Sequence, residues 1–561
     1  MLSNVVTYAS DEMEGFLERR DSNPEDHPQT FLQFALFNFK RSLNVYEKLK
    51  NKQETTRSTV KLVETIRERC RGRRSNQWTW KELVDLVKYS EVPIEESLLS
   101  LPSAEHNKMA LECFKCIMRY MGDFPLKTNQ TEIDCLYTIL SISYRWSDLR
   151  DEVYCQLIKQ TTNNKSPNKD SCLKGWRMMM LLTAFFPVSD ILKPYFMHHL
   201  ETVSNDERRN FCENARICLK NLHKTLKCGG RKNVPSLEEL IALSNDKIIK
   251  QQVYYIAGGT KLIVDTWTTS TVHDIIREIC YFLNVRRDLE MEEFGLYCIV
   301  EGDPYTLPLQ SDEYVLDVMT ELTKNNYVFY LLFSRIVWYH PVRLDNHLYI
   351  EIIYNQMAPD YMDGLFLLSS GPQLGEQTEE EIARIGALLH CASNFSETPK
   401  NQDILYLLPR TLPYLSILSF EQWVSKVCQC WEEVKILTSL EAKAQCLDIL
   451  QKWPLFGSSF FTVMLMKENL EVIDHVLAIN KNGVLLLDID SHECIWESNF
   501  TNLKNQNKKK EKILTLINEE KQSIEIKSEY VMEILSLIQQ YIDVQRSSSI
   551  VTTMCNFSIN S

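Results

Sequence analysis

The sequence predicts a multidomain α+β protein: a long all-helical block, a small mixed roll, a second helical block and a strand-rich unit closed by a helix. Three observations carry this. Apolar residues recur with helical spacing over 29–245 and 345–450, while strand signals mark 253–267, 294–300, 327–333 and most of the region after 453. The 561 residues, 44% apolar and 24% charged, suit several ordinary globular domains rather than one.

Residues 1–28 are polar and acidic and read as a flexible lead-in. With Asp11, Glu12, Glu14 and Glu18 they hold no apolar stretch for a signal peptide. Within 29–245, Met109, Cys113, Cys116, Ile117 and Tyr120 fall on one helical face, and Val153, Leu157 and Ile158 repeat the pattern one helix later. Gly122-Asp123 and the polar stretch 161–170 separate helices. Segments 175–182 and 191–200 read as a helix pair broken at Pro187, and Gly229-Gly230 stops the last long helix.

Near residue 250 the rhythm changes. Segment 253–267 alternates around Gly258-Gly259, a hairpin signal. A helix follows with Val272, Ile275, Ile276, Ile279 and Leu283 on one side, then strands over 294–300 and 327–333. Two strands, a helix and two strands within 250–340 suggest a ubiquitin-like roll. Over 341–450 two stripes mark helices, Ile382, Ile385, Leu388 and Leu389, then Trp423, Val427, Trp431 and Val434. In 453–545, strands at 476–480 and 484–488 flank Lys481-Asn482-Gly483, and Asn-Gly is a strong turn pair. Val531, Ile534, Leu535, Ile538, Tyr541 and Ile542 form a closing amphipathic helix, so this last unit resembles a pleckstrin-like β-sandwich with a C-terminal helix. Residues 546–561 read as a loose polar tail.

The run Leu149-Arg150-Asp151-Glu152-Val153-Tyr154-Cys155-Gln156-Leu157-Ile158-Lys159-Gln160 resembles the signature helix of the MyTH4 (myosin tail homology 4) domain. Gly175-Trp176, Pro187-Val188-Ser189 and Arg231…Pro235-Ser236…Glu239-Leu240 follow in the expected order. The stretch from Tyr354-Asn355-Gln356-Met357 to Ala358-Pro359-Asp360-Tyr361 looks like the opening of a FERM middle lobe in unconventional myosins. Trp453-Pro454-Leu455-Phe456-Gly457-Ser458-Ser459-Phe460-Phe461 and Leu477-Ala478-Ile479-Asn480 are similar to class XV myosin tails. The resemblance covers about residues 30–545. It implies a helical MyTH4 bundle followed by a three-lobed FERM module, with binding of protein cargo tails and of microtubules as the associated activities. No motor accompanies it: Gly258-Gly259-Thr260-Lys261 lacks the spacing of a phosphate loop.

Composition narrows the class. A net charge of −13 argues against a nucleic-acid partner. Seventeen scattered cysteines read as reduced thiols of a cytoplasmic protein, and no run of about 18 apolar residues is present to span a membrane. No cofactor or metal is expected. Cys113-x-x-Cys116 lacks the second pair that structural zinc needs, and His198-His199 lacks a third ligand. Gly457-Ser458-Ser459 lacks the second glycine of a nucleophile elbow, and no nucleophile, base and orienter converge, so an enzyme is not expected.

Four surfaces are candidate binding sites. Arg216, Lys220, Lys224 and Lys227, spaced four, four and three, line one helix face and continue to Arg231 and Lys232. Such a face suits an acidic filament such as a microtubule, or is an ordinary solvated face. Residues 57–74 hold seven basic against two acidic residues, with Arg67, Arg69, Arg71, Arg73 and Arg74 as the densest part, a second contact for tubulin or anionic lipid. Lys508, Lys509 and Lys510 sit in a polybasic stretch, either a lipid-binding loop or a mobile one. The fourth is a groove between the strand 523–527 and the final helix, where alternation sends Ile524 and Ile526 inward and Ser523, Glu525 and Lys527 outward, toward a peptide added at this edge or toward water. The resulting expectation is a non-enzymatic cytoskeletal adaptor. Its alternatives are the cargo-binding tail of a longer actin-based myosin and a phosphoinositide-dependent membrane linker.

Overall fold

The computed structural model describes residues 30–40, 86–208, 210–244, 249–302, 308–369, 374–466, 472–501, 503–508 and 512–559. In chain order the first helices are α1 (Phe31–Asn38), α2 (Ala104–Met121), α3 (Glu132–Arg145), α4 (Arg150–Thr161), α5 (Ser171–Phe185), α6 (Lys193–Ser204), α7 (Cys212–Cys228) and α8 (Leu237–Ser244). Then come β1 (Ile249–Ile256), β2 (Lys261–Trp267), α9 (Val272–Phe282), α10 (Asp288–Met291), β3 (Phe294–Val300), α11 (Val315–Lys324) and β4 (Phe329–Arg335). Helices return as α12 (His347–Met362), α13 (Glu376–Ala392), α14 (Asn401–Ile404), α15 (Leu412–Leu415), α16 (Phe420–Val434) and α17 (Ser439–Leu450). The chain closes with β5 (Ser459–Met466), β6 (Val472–Asn480), β7 (Gly483–Asp488), β8 (Cys494–Ser498), β9 (Lys504–Lys508), β10 (Ile513–Ile517), β11 (Ser523–Lys527) and α18 (Val531–Ile559).

Two compact units result. The first is built mainly from the chain up to Lys250, joined by Asp265–Thr271 and Asp312–Asn325. Stretches inside the range expected for the roll therefore belong to it. Local chemistry sets its helix ends: the Ser103 hydroxyl caps α2, Gly122 terminates it at φ 82°, and Thr131 with Asp134 forms a capping box on α3. Cys113, Cys116, Ile117 and Tyr120 of α2 join Val153, Leu157 and Ile158 of α4, Trp176, Phe196 and Leu222 in one core. Every residue of α4 from Glu152 to Thr161 is buried, so this helix has no solvent face and its polar residues must find partners inside. Thr271 and Tyr314 form a β-bridge, the Val315 amide donates to the Ser270 carbonyl, and the Tyr314 hydroxyl donates to the Gly229 carbonyl at 2.9 Å.

The second unit comprises Gln251–Val264, Val272–Ser311 and the chain after Asn326. A four-stranded sheet runs in the order β2-β1-β4-β3, with β1 and β4 parallel and β3 antiparallel to β4. Parallel pairing requires a crossover. α9 lies in that connection and buries Val272, Ile275, Ile276 and Ile279. In the helical part Trp423, Val427, Trp431 and Val434 of α16 are buried on one stripe, and α16 and α17 each open with a capping box.

Seven strands then form one continuous sheet in the order β8-β7-β6-β5-β11-β10-β9. Its core joins Leu477, Leu486, Leu514 and Ile526 to Val531, Ile534, Ile538 and Tyr541 of α18. Two local expectations change. Asn480 pairs with Gly483, so the turn is Lys481-Asn482 and Gly483 already lies in β7 at φ 143°, where a Cβ would strike the Ser498 carbonyl oxygen. The expected loose tail after 545 is instead the continuation of α18 to Ile559.

Candidate partner-binding surfaces

In α4 the polar side chains work inward. The Glu152 carboxylate accepts the amides of Leu98 and Leu99 at 2.9 and 2.7 Å and the Gln156 side-chain amide at 2.8 Å. Burial raises its pKa above the ordinary carboxylate value, with those donors opposing the rise. Tyr154 donates to the Phe186 carbonyl at 2.7 Å, and Lys159 donates to the carbonyls of Leu86 and Lys88 at 3.0 and 2.8 Å. Asp151 accepts the Ser189 amide at 3.0 Å and the Ser189 hydroxyl as well. The helix is thus a scaffold whose charged letters satisfy backbone groups, and its surface offers a partner little.

The basic face of α7 divides. Arg216, Lys220 and Lys227 are exposed and Lys224 is half-buried, while Ala215, Cys218, Leu222 and Thr225 face the core. Arg216 also pairs with Glu213 at 3.1 Å. Arg231 leaves the face altogether. Its side chain is 0% exposed; Nε meets Asp317 at 2.6 Å, Nη1 meets Glu239 at 2.9 Å and donates to the Thr268 carbonyl at 2.9 Å. The guanidinium lies 4.7 Å from the Phe185 ring centroid. Burial opposes its charge, and Glu239 and Asp317 outweigh that, raising its pKa. Arg231 is therefore withdrawn from the docking set: a cation without solvent contact cannot meet a filament. Lys232 remains exposed, its backbone amide donating to Asp317 at 2.6 Å.

The second unit holds a comparable hub. Arg335 Nε donates to Glu293 Oε2 at 2.9 Å, Nη1 to the Tyr349 hydroxyl at 2.7 Å and Nη2 to the His340 carbonyl at 2.7 Å. Glu293 Oε1 also accepts the His340 amide at 2.8 Å, and the Tyr541 hydroxyl accepts the Trp338 amide at 3.2 Å. The Arg335 guanidinium lies 4.6 Å from the Trp338 ring centroid, so residues from the small sheet, the helical part and α18 meet in one buried cluster. This arrangement fixes geometry rather than offering a reactive group.

Residues 136–242 match the MyTH4 domain and 340–461 the FERM central domain. The chain is 32% identical to human unconventional myosin-XV over 415 residues, which is 74% of this chain and 12% of that protein. The human Myosin 7b C-terminal MyTH4-FERM domain, solved in complex with the harmonin-a PDZ3 domain, has the same fold at TM-score 0.57 and 23% identity, covering 81% of this chain and 92% of that one. The MF1 MyTH4-FERM domain of Dictyostelium discoideum Myosin VII matches at TM-score 0.59 and 20% identity, covering 94% and 99%. The chain is a MyTH4–FERM module, related to the tails of unconventional myosins. It spans about an eighth of the myosin-XV relative's length, at 12%.

Within this MyTH4–FERM module, the outward residues of β11 do not line a free edge. β11 pairs with β10 along its length, from Ser523↔Ile517 to Lys527↔Ile513, and with β5 at Ile526 and Lys527. Strand order makes it an interior strand, with its β10 side occupied from Ser523 to Lys527 and its β5 side at Ile526 and Lys527, so the expectation of a sheet edge at Ser523, Glu525 and Lys527 is corrected. The sheet order leaves β8 and β9 at the ends. Lys508 lies at the end of β9, whose register with β10 replaces the mobile loop expected there, and Lys509 and Lys510 fall outside the described residues. The second basic patch, Arg67, Arg69, Arg71, Arg73 and Arg74, also falls outside them. Among the described residues no helix is long and apolar enough to cross a membrane.

The two buried arginine hubs are what sequence reading missed. For Arg231 a signal existed, its place in the motif Arg231…Pro235-Ser236…Glu239. Arg335 and Glu293 lie 42 positions apart, and no local pattern joins them.

Proposed function

We propose that this chain is a non-enzymatic cytoskeletal adaptor of the cytoplasm whose MyTH4–FERM module holds the polypeptide tails of cargo or partner proteins. The observation that carries the reading is the shared architecture over most of the chain with the Myosin 7b module, a module solved with a PDZ domain bound. A peptide joining the seven-stranded sheet would use an end strand, β8 or β9, since each has one strand neighbour among the described residues. A longer myosin carrying this module at its tail is compatible with the same reading. The full chain, immobilised as bait in cell extract and cross-linked, is expected to retain proteins whose cross-links map to these strands; retention of none removes the proposal.

A second reading, microtubule binding, is favoured by the exposed cations Arg216, Lys220 and Lys227 on one face of α7. Charge steers such an encounter and is screened by salt. Lys220→Glu with Lys227→Glu is expected to weaken microtubule pelleting and flatten its salt dependence; unchanged pelleting overturns it. Anionic lipid binding through Lys508, Lys509 and Lys510 is tested by liposome sedimentation with all three changed to glutamate, where equal sedimentation removes it.

A further inference from the structure

One basic recess in the second unit belongs to none of these readings. It has a volume of about 300 Å³ and is lined by Arg286, Arg287, Glu290, Pro341, Val342 and Arg343. Three arginines and one glutamate thus line it, in a chain whose net charge is −13. Two of the three are pre-positioned. Arg343 Nη1 donates to the Asn284 carbonyl at 2.7 Å, where Asn284 ends α9 in a left-handed conformation at φ 57°. The Arg286 guanidinium lies 4.8 Å from the Tyr281 ring centroid. Arg343 also pairs with Glu290 at 3.8 Å and with Asp345 at 3.7 Å. Arg286 and Arg287 are exposed and enter no ion pair among the described residues.

We propose that this recess binds a phosphorylated serine or threonine side chain of a partner polypeptide. The inference rests on the reading that the module holds partner polypeptides. A phosphate monoester presents three strong acceptor oxygens and close to two negative charges, which planar guanidinium forks meet with charge-assisted, paired hydrogen bonds. The exposed Arg286 and Arg287 supply the forks from adjacent positions, while Arg343, held by the Asn284 carbonyl, Glu290 and Asp345, adds a fixed positive charge beside them. Pro341 and Val342 provide apolar floor for the neighbouring residue of an extended peptide. At about 300 Å³ the recess is at the small end of ligand sites. It suits one side chain and its neighbour, and a concave site offers less to a flat membrane. Glu290 in the lining and Asp345 paired with Arg343 disfavour a headgroup carrying several phosphates.

The test uses the full chain and fluorescence anisotropy with a degenerate peptide library carrying a fixed central phosphoserine, beside the same library with serine. Phosphatidylcholine vesicles containing phosphatidylinositol 4,5-bisphosphate form a second arm. The phosphorylated library is expected to bind about tenfold tighter or more, as charge-assisted bonds require, and inorganic pyrophosphate is expected to displace it. Arg286→Ala with Arg287→Ala, both exposed and so compatible with folding, is expected to abolish the preference, while Lys220→Ala leaves it intact. Equal binding of the two libraries, or a preference that survives the double variant, overturns the proposal. Vesicle binding that depends on these arginines, without a phosphopeptide preference, assigns the recess to a membrane and also overturns it. Partner capture that persists without a phosphate preference leaves the adaptor reading standing while this site falls.

Discussion

Arg231 Nε and Asp317 Oδ1 lie 2.6 Å apart, joining residues eighty-six positions distant in sequence, with the arginine side chain fully buried. Removing the arginine leaves Asp317 and Glu239 as buried, uncompensated carboxylates. Arg231→Leu is therefore expected to cost roughly 3–5 kcal/mol in urea unfolding, the range for a broken buried pair. Lys232→Ala, one residue away but exposed, is expected to stay within about 0.5 kcal/mol. Similar losses for both would contradict the burial of Arg231.

Asp360, on α12, is pushed up to about 6 by burial, reinforced by the neighbouring Asp363. The folded state then holds this proton more tightly than the unfolded chain, where aspartate titrates near about 3.9. Its stabilising contribution is complete below about pH 4 and is lost as pH rises through 6. Asp360→Asn removes that dependence. A Tm series should place the variant above the parent at pH 7.5 and bring the two together near pH 4; parallel curves would count against it.

Gly457 adopts φ 69° and sits against Trp338, where an added Cβ would come 2.5 Å from the ring's Cγ. Trp338 is itself held, its amide bonded to Tyr541 and its ring edge-on to Phe456 at 5.3 Å. Gly457→Ala combines a left-handed backbone penalty with overpacking and is expected to cost about 2 kcal/mol or more. Calorimetry checks this, with Gly375→Ala as the control, since a Cβ there meets nothing within 4 Å.

β11 is flanked by β10 and β5, whereas β8 and β9 each have one neighbour. Amide hydrogens of 523–527 are expected to exchange more slowly than those of 494–498 and 504–508, because interior ladders open only with larger parts of the sheet. Exchange measured by mass spectrometry on the full chain decides it; faster exchange in 523–527 would return that strand to the role of an edge.

Much of the architecture was legible because it is written locally. Helical spacing marked Cys113–Tyr120 and Trp423–Val434 as buried faces, and Gly122 and Gly229 as helix ends, since each signal spans only a few turns. The hairpin at Gly258-Gly259 and the strand Phe294–Val300 were equally readable. The polar tail was not: composition suggested a loose end, whereas the helix beginning at Val531 carries on to Ile559.

Binding surfaces were legible only in part, and the division has a physical cause. Spacing along α7 placed Arg216, Lys220 and Lys227 on one face, because side-chain direction along a helix follows from sequence separation alone. Whether a charge meets water or a buried partner depends on what the rest of the chain brings to it. Arg231 looked like a continuation of that face until Glu239, Asp317 and Thr268 enclosed it. Ser523, Glu525 and Lys527 alternated as predicted in kind, yet strand order, a property of pairing between distant segments, put them inside the sheet. The amino-acid order by itself determined the succession of helical and strand-rich bodies and the faces each would bury. Tertiary structure alone decided which charges are sealed and which strands keep an open edge, because desolvation and backbone pairing are settled by neighbours far away in the chain.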